Sequence, residues 1–318
     1  MRMLMLAASA ALFAPTALAQ TYPDKPVHVV VPFTPGSATD VVARAVAQAL
    51  STRMGQPFVV ENKPGAGGTI GAGQVAKAAP DGYTLLVHSS AHTVNPSIFP
   101  NMTYDTAKDL VAISLLAQQP NILVAAPAKG WKSANDLAQA ARAQPGKITY
   151  ASAGTGSGTH MNAEKFKFSA GIDALHVPYK GTPEALTDTM NGRVDYFFAP
   201  VIAGLSLVRE GRLTPLAVGS EKRSSVLPDV PTTEEAGYKN SAYDFWVGML
   251  APAGTPPALV ERLNKEVAAA LASPEVKDRL GALGADASPT SPIAFDQRIA
   301  RELKENAALV KQAGISMQ

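Results

Sequence analysis

The sequence predicts an α/β fold: parallel strands joined by crossover helices, in two units around a cleft. Three observations carry this. Short β-branched runs alternate with segments of helical periodicity. The 318 residues, 46% of them hydrophobic, exceed one average domain. No Pro/Gly/Ser linker separates the halves, which leaves two short crossings, near Gln119–Ile122 and Val218–Arg223, as in a discontinuous clamp. The expected division is residues 20–121 plus 223–318 for one domain and 122–222 for the other.

The run from Val27 to Pro32 reads as a buried strand. A helix follows from Ala38 to Met54, with Val41, Val42, Ala45, Val46, Ala49 and Leu50 on its apolar face and Gly55 stopping it. Phe58–Val60 restarts a strand, the glycine-rich turn Pro64–Gly68 leads into a helix, and Tyr83–His88 is the third strand. Ile113–Ala126 is an apolar stretch broken at Gln118-Gln119-Pro120, as a chain passing between two units requires. The rhythm then repeats. Helices are expected at Ser133–Arg142, Thr159–Ala170 and Pro183–Asn191, with strands at Lys147–Ser152, Ala174–Val177, Val194–Phe198 and Thr214–Val218. Two further helices are expected near Pro257–Leu271 and Pro292–Ala313.

Composition removes several classes of chemistry. There is no cysteine, so disulfides, zinc–thiolate sites, iron–sulfur clusters and thiol nucleophiles are excluded. A net charge of +2, with scattered basic residues and no interleaved aromatics, gives no footprint for nucleic acid. Arg2 followed by the apolar stretch Leu4–Leu18 and by Ala17-Leu18-Ala19 has the form of a signal peptide cut after Ala19. The run is short for a bilayer span. Export to the periplasm is therefore expected.

Two strand-to-helix turns could carry the function. In Pro32-Phe33-Thr34-Pro35-Gly36-Ser37-Ala38-Thr39-Asp40, Ser37 and Asp40 have the spacing of a capping box. The free N–H groups of such a helix start attract anions. A capped helix with no ligand fits the same residues. The second turn, Ser152–His160, sets three glycines among Ser152, Thr155, Ser157 and Thr159, which can build a nest of N–H donors. His160 could cap the helix or donate to a ligand. Two such turns facing each other would hold a small anion without an arginine.

Other motifs fail. The serines in Gly154–Gly158 lack the glycine spacing of a nucleophile elbow, and no Walker loop is present. Gly65–Gly73 has the wrong spacing for a dinucleotide loop and reads as a tight turn against the first sheet. His88 and His92 fall on a strand running into a loop with no glutamate beside them, so neither a metal nor another cofactor is expected. No catalytic residue is assigned.

The motifs together resemble the Bug-type solute receptors, the extracytoplasmic binding components of tripartite tricarboxylate transporters. They are Tyr22–Pro26, the Pro32–Asp40 loop with Ala43-Arg44, Val60–Gly68, Pro80–Leu85, Gly154–His160 with Glu164 and Phe166, His176–Gly181 and Leu227–Thr232. The resemblance implies a type II periplasmic binding fold whose two domains close on a carboxylate, without catalysis. It implies a monomer whose partners are a small carboxylate and the transporter's membrane subunits. By the same resemblance the ligand would meet Phe33, Gly36, Ser37, Thr39 and Asp40 on one side and Ser152, Thr155, Gly156, Ser157 and His160 on the other. Ser89, Ser90, Thr93, Tyr179, Thr182 and Phe198 are the implied wall residues. Asp40 is expected to order its loop rather than touch an anion it would repel. Two departures stand out. Ser37 replaces a glycine common in relatives, and Tyr196–Pro200 lacks the acidic or amide residue that would hold an ammonium group. The latter favours an apolar or aromatic ligand body. An exported α/β hydrolase-like enzyme and a sensor for a membrane signalling protein are the alternatives.

Overall fold

Why the chain crosses between two sheets, and where, follows from strand pairing. The computed structural model describes residues 22–312 and 314–315, so the expected signal peptide lies outside the described residues. In chain order the elements are β1 (Val27–Val31), α1 (Ala38–Met54), β2 (Phe58–Asn62), α2 (Thr69–Ala76), β3 (Thr84–Ser89), α3 (Ala91–Ile98), β4 (Leu110–Gln119) and β5 (Asn121–Ala125). Then follow α4 (Ala134–Ala143), β6 (Thr149–Ser152), α5 (Gly158–Ala170), β7 (Leu175–Pro178), α6 (Thr182–Met190), β8 (Tyr196–Pro200), α7 (Val201–Arg209) and β9 (Thr214–Val218). The chain closes with β10 (Phe245–Pro252), α8 (Pro257–Ala272), α9 (Pro274–Ala282), β11 (Asp286–Ala287) and α10 (Pro292–Gln312).

The first sheet has the order β11-β4-β10-β3-β1-β2 and the second β7-β6-β8-β5-β9. In each, the first three strands of the unit run parallel in the order second, first, third, because helical crossovers (α1 and α2 in the first, α5 and α6 in the second) connect them. In each, the next place is taken by an antiparallel strand that has just arrived from the other sheet, β10 in the first and β5 in the second. The two halves therefore share one topology. This mixed α/β architecture is the type II periplasmic binding fold.

The cores follow from side-chain period. Val27, Val29 and Val31 of β1 pack with Val42, Ala45, Val46, Ala49 and Leu50 of α1, while Val30 faces the opposite layer with Trp246 and Phe295. In the second sheet, Tyr150, Phe166, Tyr196 and Phe198 form one core layer and Phe197, Ala199 and Leu205 the other.

Three expectations need correction. First, the return to the first sheet lies at Tyr243–Phe245 and not near Val218–Arg223. Thr232 bridges Val218, Thr233 donates to its carbonyl, and Tyr238 sits in the second sheet's core. Second, the residues after β3 form helix α3 despite Pro96, because the helix is buried against α10, where Asn306 Nδ2 donates to Thr93 Oγ1 at 2.9 Å. Third, Phe198 shares its strand face with Tyr196 and packs on Phe166 at 5.6 Å between ring centroids, inside the second core. It does not line the cleft. Among the described residues no helix is long and apolar enough to cross a membrane.

Candidate functional site

The carboxyl ends of parallel strands are where open α/β sheets bind ligands, because helix N-termini gather there. Here the loop after β1 and the loop after β6 face one another and reproduce the same backbone. Gly36 and Gly156 both have φ of +79°, a conformation costly for a side chain. Ser37 and Ser157 follow as N-caps with nearly equal angles, −66°/158° and −64°/156°. Ser37 Oγ accepts from Asp40 N at 3.4 Å and Ser157 Oγ from His160 N at 3.3 Å. The next two N–H groups of each helix, on Ala38 and Thr39 and on Gly158 and Thr159, have no acceptor among the described residues.

The residue three past each cap reaches back to its glycine, with different chemistry. Asp40 Oδ2 accepts from Gly36 N at 2.9 Å, from Arg44 Nε at 3.0 Å, and Oδ1 from Asn62 Nδ2 at 2.8 Å. Burial opposes its ionisation. The bonds from Arg44, Gly36 and Asn62 outweigh that and hold the carboxyl below its usual range. His160 Nδ1 accepts from Gly156 N at 3.1 Å and its ring stacks on His176 at 3.9 Å. Burial pushes His160 down to about 3, with the nearby Lys167 adding to it, so the ring is neutral at pH 7 and keeps its acceptor.

Between the loops lies a narrow pocket of about 10 Å³, room for about one water molecule. It is lined by Phe33, Ser37, Ala38, Thr39, Ser89, Ala153, Ser157, Thr159, Thr182, Pro200 and Phe245. Thr39 and Thr182, each 2% exposed, bring hydroxyls to it that bond no other described residue. A more open compartment of about 200 Å³ adjoins, walled by Pro32, Phe33, Gly65–Gly68, Phe99, Ala153, Gly154, Thr155, Pro178, Tyr179 and Lys180.

The expected residues therefore separate into groups. Phe33, Ser37, Thr39, Ser89, Ser157 and Thr182 meet at the enclosed cavity, and Thr155 and Tyr179 at the outer one. Gly36, Asp40, Gly156 and His160 frame the loops. Ser152 does so too: its Oγ takes Gly154 N and meets His176 Nε2 at 2.6 Å. Ser90 is buried under Gly158, Thr93 bonds Asn306 and Glu302, and Phe198 is in the core. Sequence reasoning missed Pro200 and Phe245, which wall the cavity. The aromatic, β-prone run beginning at Phe245 was the available signal. It also missed that the Gly65–Gly68 turn crosses the cleft. A side chain on Gly67 would come within 2.5 Å of the Thr155 carbonyl oxygen, so a glycine is needed for this approach.

Comparison with known proteins agrees with this geometry. Residues 42–315 match the family described as tripartite tricarboxylate transporter family receptor. BugT of Bordetella pertussis is 37% identical over 313 residues, covering 98% of this chain and 96% of that protein. MatC from Rhodopseudomonas palustris, solved with bound malate, superposes with a TM-score of 0.87 at 34% identity, covering 91% of this chain and all of that one (100%). An R. palustris protein solved with adipate reaches 0.90 at 35% identity, covering 93% and 100%. The family and these neighbours are solute-binding proteins, not enzymes. The chain belongs to the tripartite tricarboxylate transporter receptor family, the Bug-type solute receptors.

Proposed function

We propose that this protein captures a small carboxylate in the periplasm and delivers it to the membrane subunits of a tripartite tricarboxylate-type transporter. The chain is exported through a signal peptide cut after Ala19 and acts as a monomer. One observation carries the reading. Two opposed helix starts offer unpaired N–H groups, and the buried hydroxyls of Thr39 and Thr182 also lack partners, all around one cavity. The N–H and hydroxyl donors left without protein acceptors there are free to be met by a ligand or by water. A carboxylate supplies several acceptors at once and is favoured by both helix dipoles.

The two sheets carry two domains that close on the ligand. The second domain runs to about residue 243 rather than the expected 222, as the Thr232 and Tyr238 contacts support. Closure follows from differential affinity, since only the closed form brings both helix starts to one anion. Calorimetric titration and thermal melts against malate, citrate, adipate and benzoate test the proposal. Saturable binding of at least one, with a raised Tm, is expected. No binding of any at millimolar concentration overturns it.

A further inference from the structure

The two domains meet directly at the mouth of the cleft, at two contacts that both use glycine. At one, Gly67 of the first domain lies against the Thr155 carbonyl of the second. At the other, Gly181, the N-cap of α6, faces Thr34 in the loop after β1. A side chain on Gly181 would overlap Thr34 Oγ1 outright and come within 3.0 Å of its Cβ. Thr34 Oγ1 also donates to Glu184 Oε2 of the second domain at 3.4 Å. Thr34 and Gly181 adjoin Phe33 and Thr182, which line the narrow pocket, and themselves stand outside its walls.

The two glycines are required for different reasons. Gly67 has φ of +62°, a left-handed conformation that glycine adopts without strain. Gly181 has φ of −172° and ψ of −179°, extended backbone open to any residue. It caps α6 with no side-chain bond, whereas a serine there, with Glu184 three residues on, would complete a capping box. Local structure therefore favours serine at this position, and only the approach of Thr34 from the other domain calls for glycine.

The far end of the domain interface is packed differently. Ile202 of α7, 6% exposed, sits in the first domain's core, and Val201 and Val226 crowd Gly284. Buried apolar contact of this kind is costly to break, so the domains pivot there and the contacts at the mouth are the ones that part.

We infer that Thr34 and Gly181 form a latch that holds the cleft shut and sets how fast the ligand leaves, without touching the ligand. This rests on the carboxylate-binding reading above. A ligand held by both domains binds the closed form, so a contact present only in that form adds to its apparent affinity. Blocking the contact lowers the closed population and speeds release, while capture by the open form is unaffected.

The test is Gly181→Ser, alone and combined with Thr34→Ala, titrated with malate, citrate, adipate and benzoate and followed by Tm, stopped-flow rates and X-ray scattering. Gly181→Ser should keep or raise Tm through its new cap. It should nevertheless bind the acid that wild type prefers about tenfold weaker, the scale of forcing an extra group into a packed contact. The loss should lie in faster dissociation, and the radius of gyration at saturation should exceed that of wild type. Adding Thr34→Ala removes the overlapping hydroxyl and should recover most of the affinity. If Gly181→Ser lowers Tm, this recovery still decides, because trimming Thr34 in the other domain does not mend a damaged α6. Wild-type affinity in Gly181→Ser, or no recovery in the double variant, overturns the inference and leaves the carboxylate site intact. Failure of every acid on the wild-type protein removes the underlying reading instead.

Discussion

The loops after β1 and β6 are near-copies in backbone and opposites in electrostatics. Both run Gly-Ser-x-Thr and then a residue that reaches back to the glycine N–H, with that glycine at φ of +79° in each. The first closes this ring with an ionised carboxylate whose charge is met by Arg44 and Asn62. The second closes it with a neutral imidazole buried in a stack with His176 and Tyr150. The shared part is what an anion requires, namely exposed N–H groups at a helix start. The differing part is how each lobe holds that geometry. A charge beside an anion site must be neutralised by partners, whereas a neutral ring needs only burial.

Removing the two closures should separate them most clearly. Asp40→Ala strips the acceptor from Gly36, Arg44 and Asn62 and is expected to cost about 2–3 kcal/mol of stability, as for hydrogen bonds to a buried charge. Carboxylate binding should weaken with it because the first loop loses order. Urea denaturation and titration measure both. A tighter-binding Asp40→Ala protein would mean the carboxylate repels ligand rather than orders the loop.

Between the two loops, acid should challenge the one closed by His160 before the one closed by Asp40. The folded value of His160, about 3, lies below its ordinary 6.5, so the unfolded chain binds the extra proton. Stability is then lost as pH falls from about 6.5 toward 3, by about 1.4 kcal/mol per pH unit for each such histidine. Asp40 is also depressed, but its contribution is complete above the ordinary carboxylate value and fades only as pH drops through its lower folded value. Replacing the ring by His160→Phe should lessen the slope of the unfolding free energy between pH 6 and 4 by about 1.4 kcal/mol per pH unit, the part due to His88, His92 and His176 remaining, and Asp40→Asn should leave that slope unchanged. Equal slopes in wild type and His160→Phe would remove His160 from the acid response.

The caps give the smallest effect. Ser37→Ala and Ser157→Ala should each cost about 1 kcal/mol. Ser157 should cost more, because its hydroxyl also bonds Thr159 Oγ1 at 2.9 Å. Identical denaturation midpoints for the two variants would show that this extra bond adds nothing.

Local signals settled much of the molecule from sequence alone. The Ala38–Met54 helix, the cap at Ser37 and the β-branched strands rest on contacts within a few residues, so periodicity and cap spacing reveal them. The two candidate loops were legible for the same reason, since each is a strand end, a glycine and a capped helix in sequence.

Only the tertiary structure could decide the rest. β10 exists because β3 and β4, more than a hundred residues earlier, pair with it on both sides. The segment 230–241 stays with the second sheet through Thr232 and Tyr238, which no linker signal announces. Phe198 is covered by the second core, whereas Pro200, on the same strand face, borders the cavity because β8 ends there. Gly67 meets Thr155 across the cleft. Such contacts join residues distant in sequence, and distance along the chain erases the local period that would have foretold them. The sequence thus determined two anion-suited turns, and the fold decided that they face one another across an apolar wall.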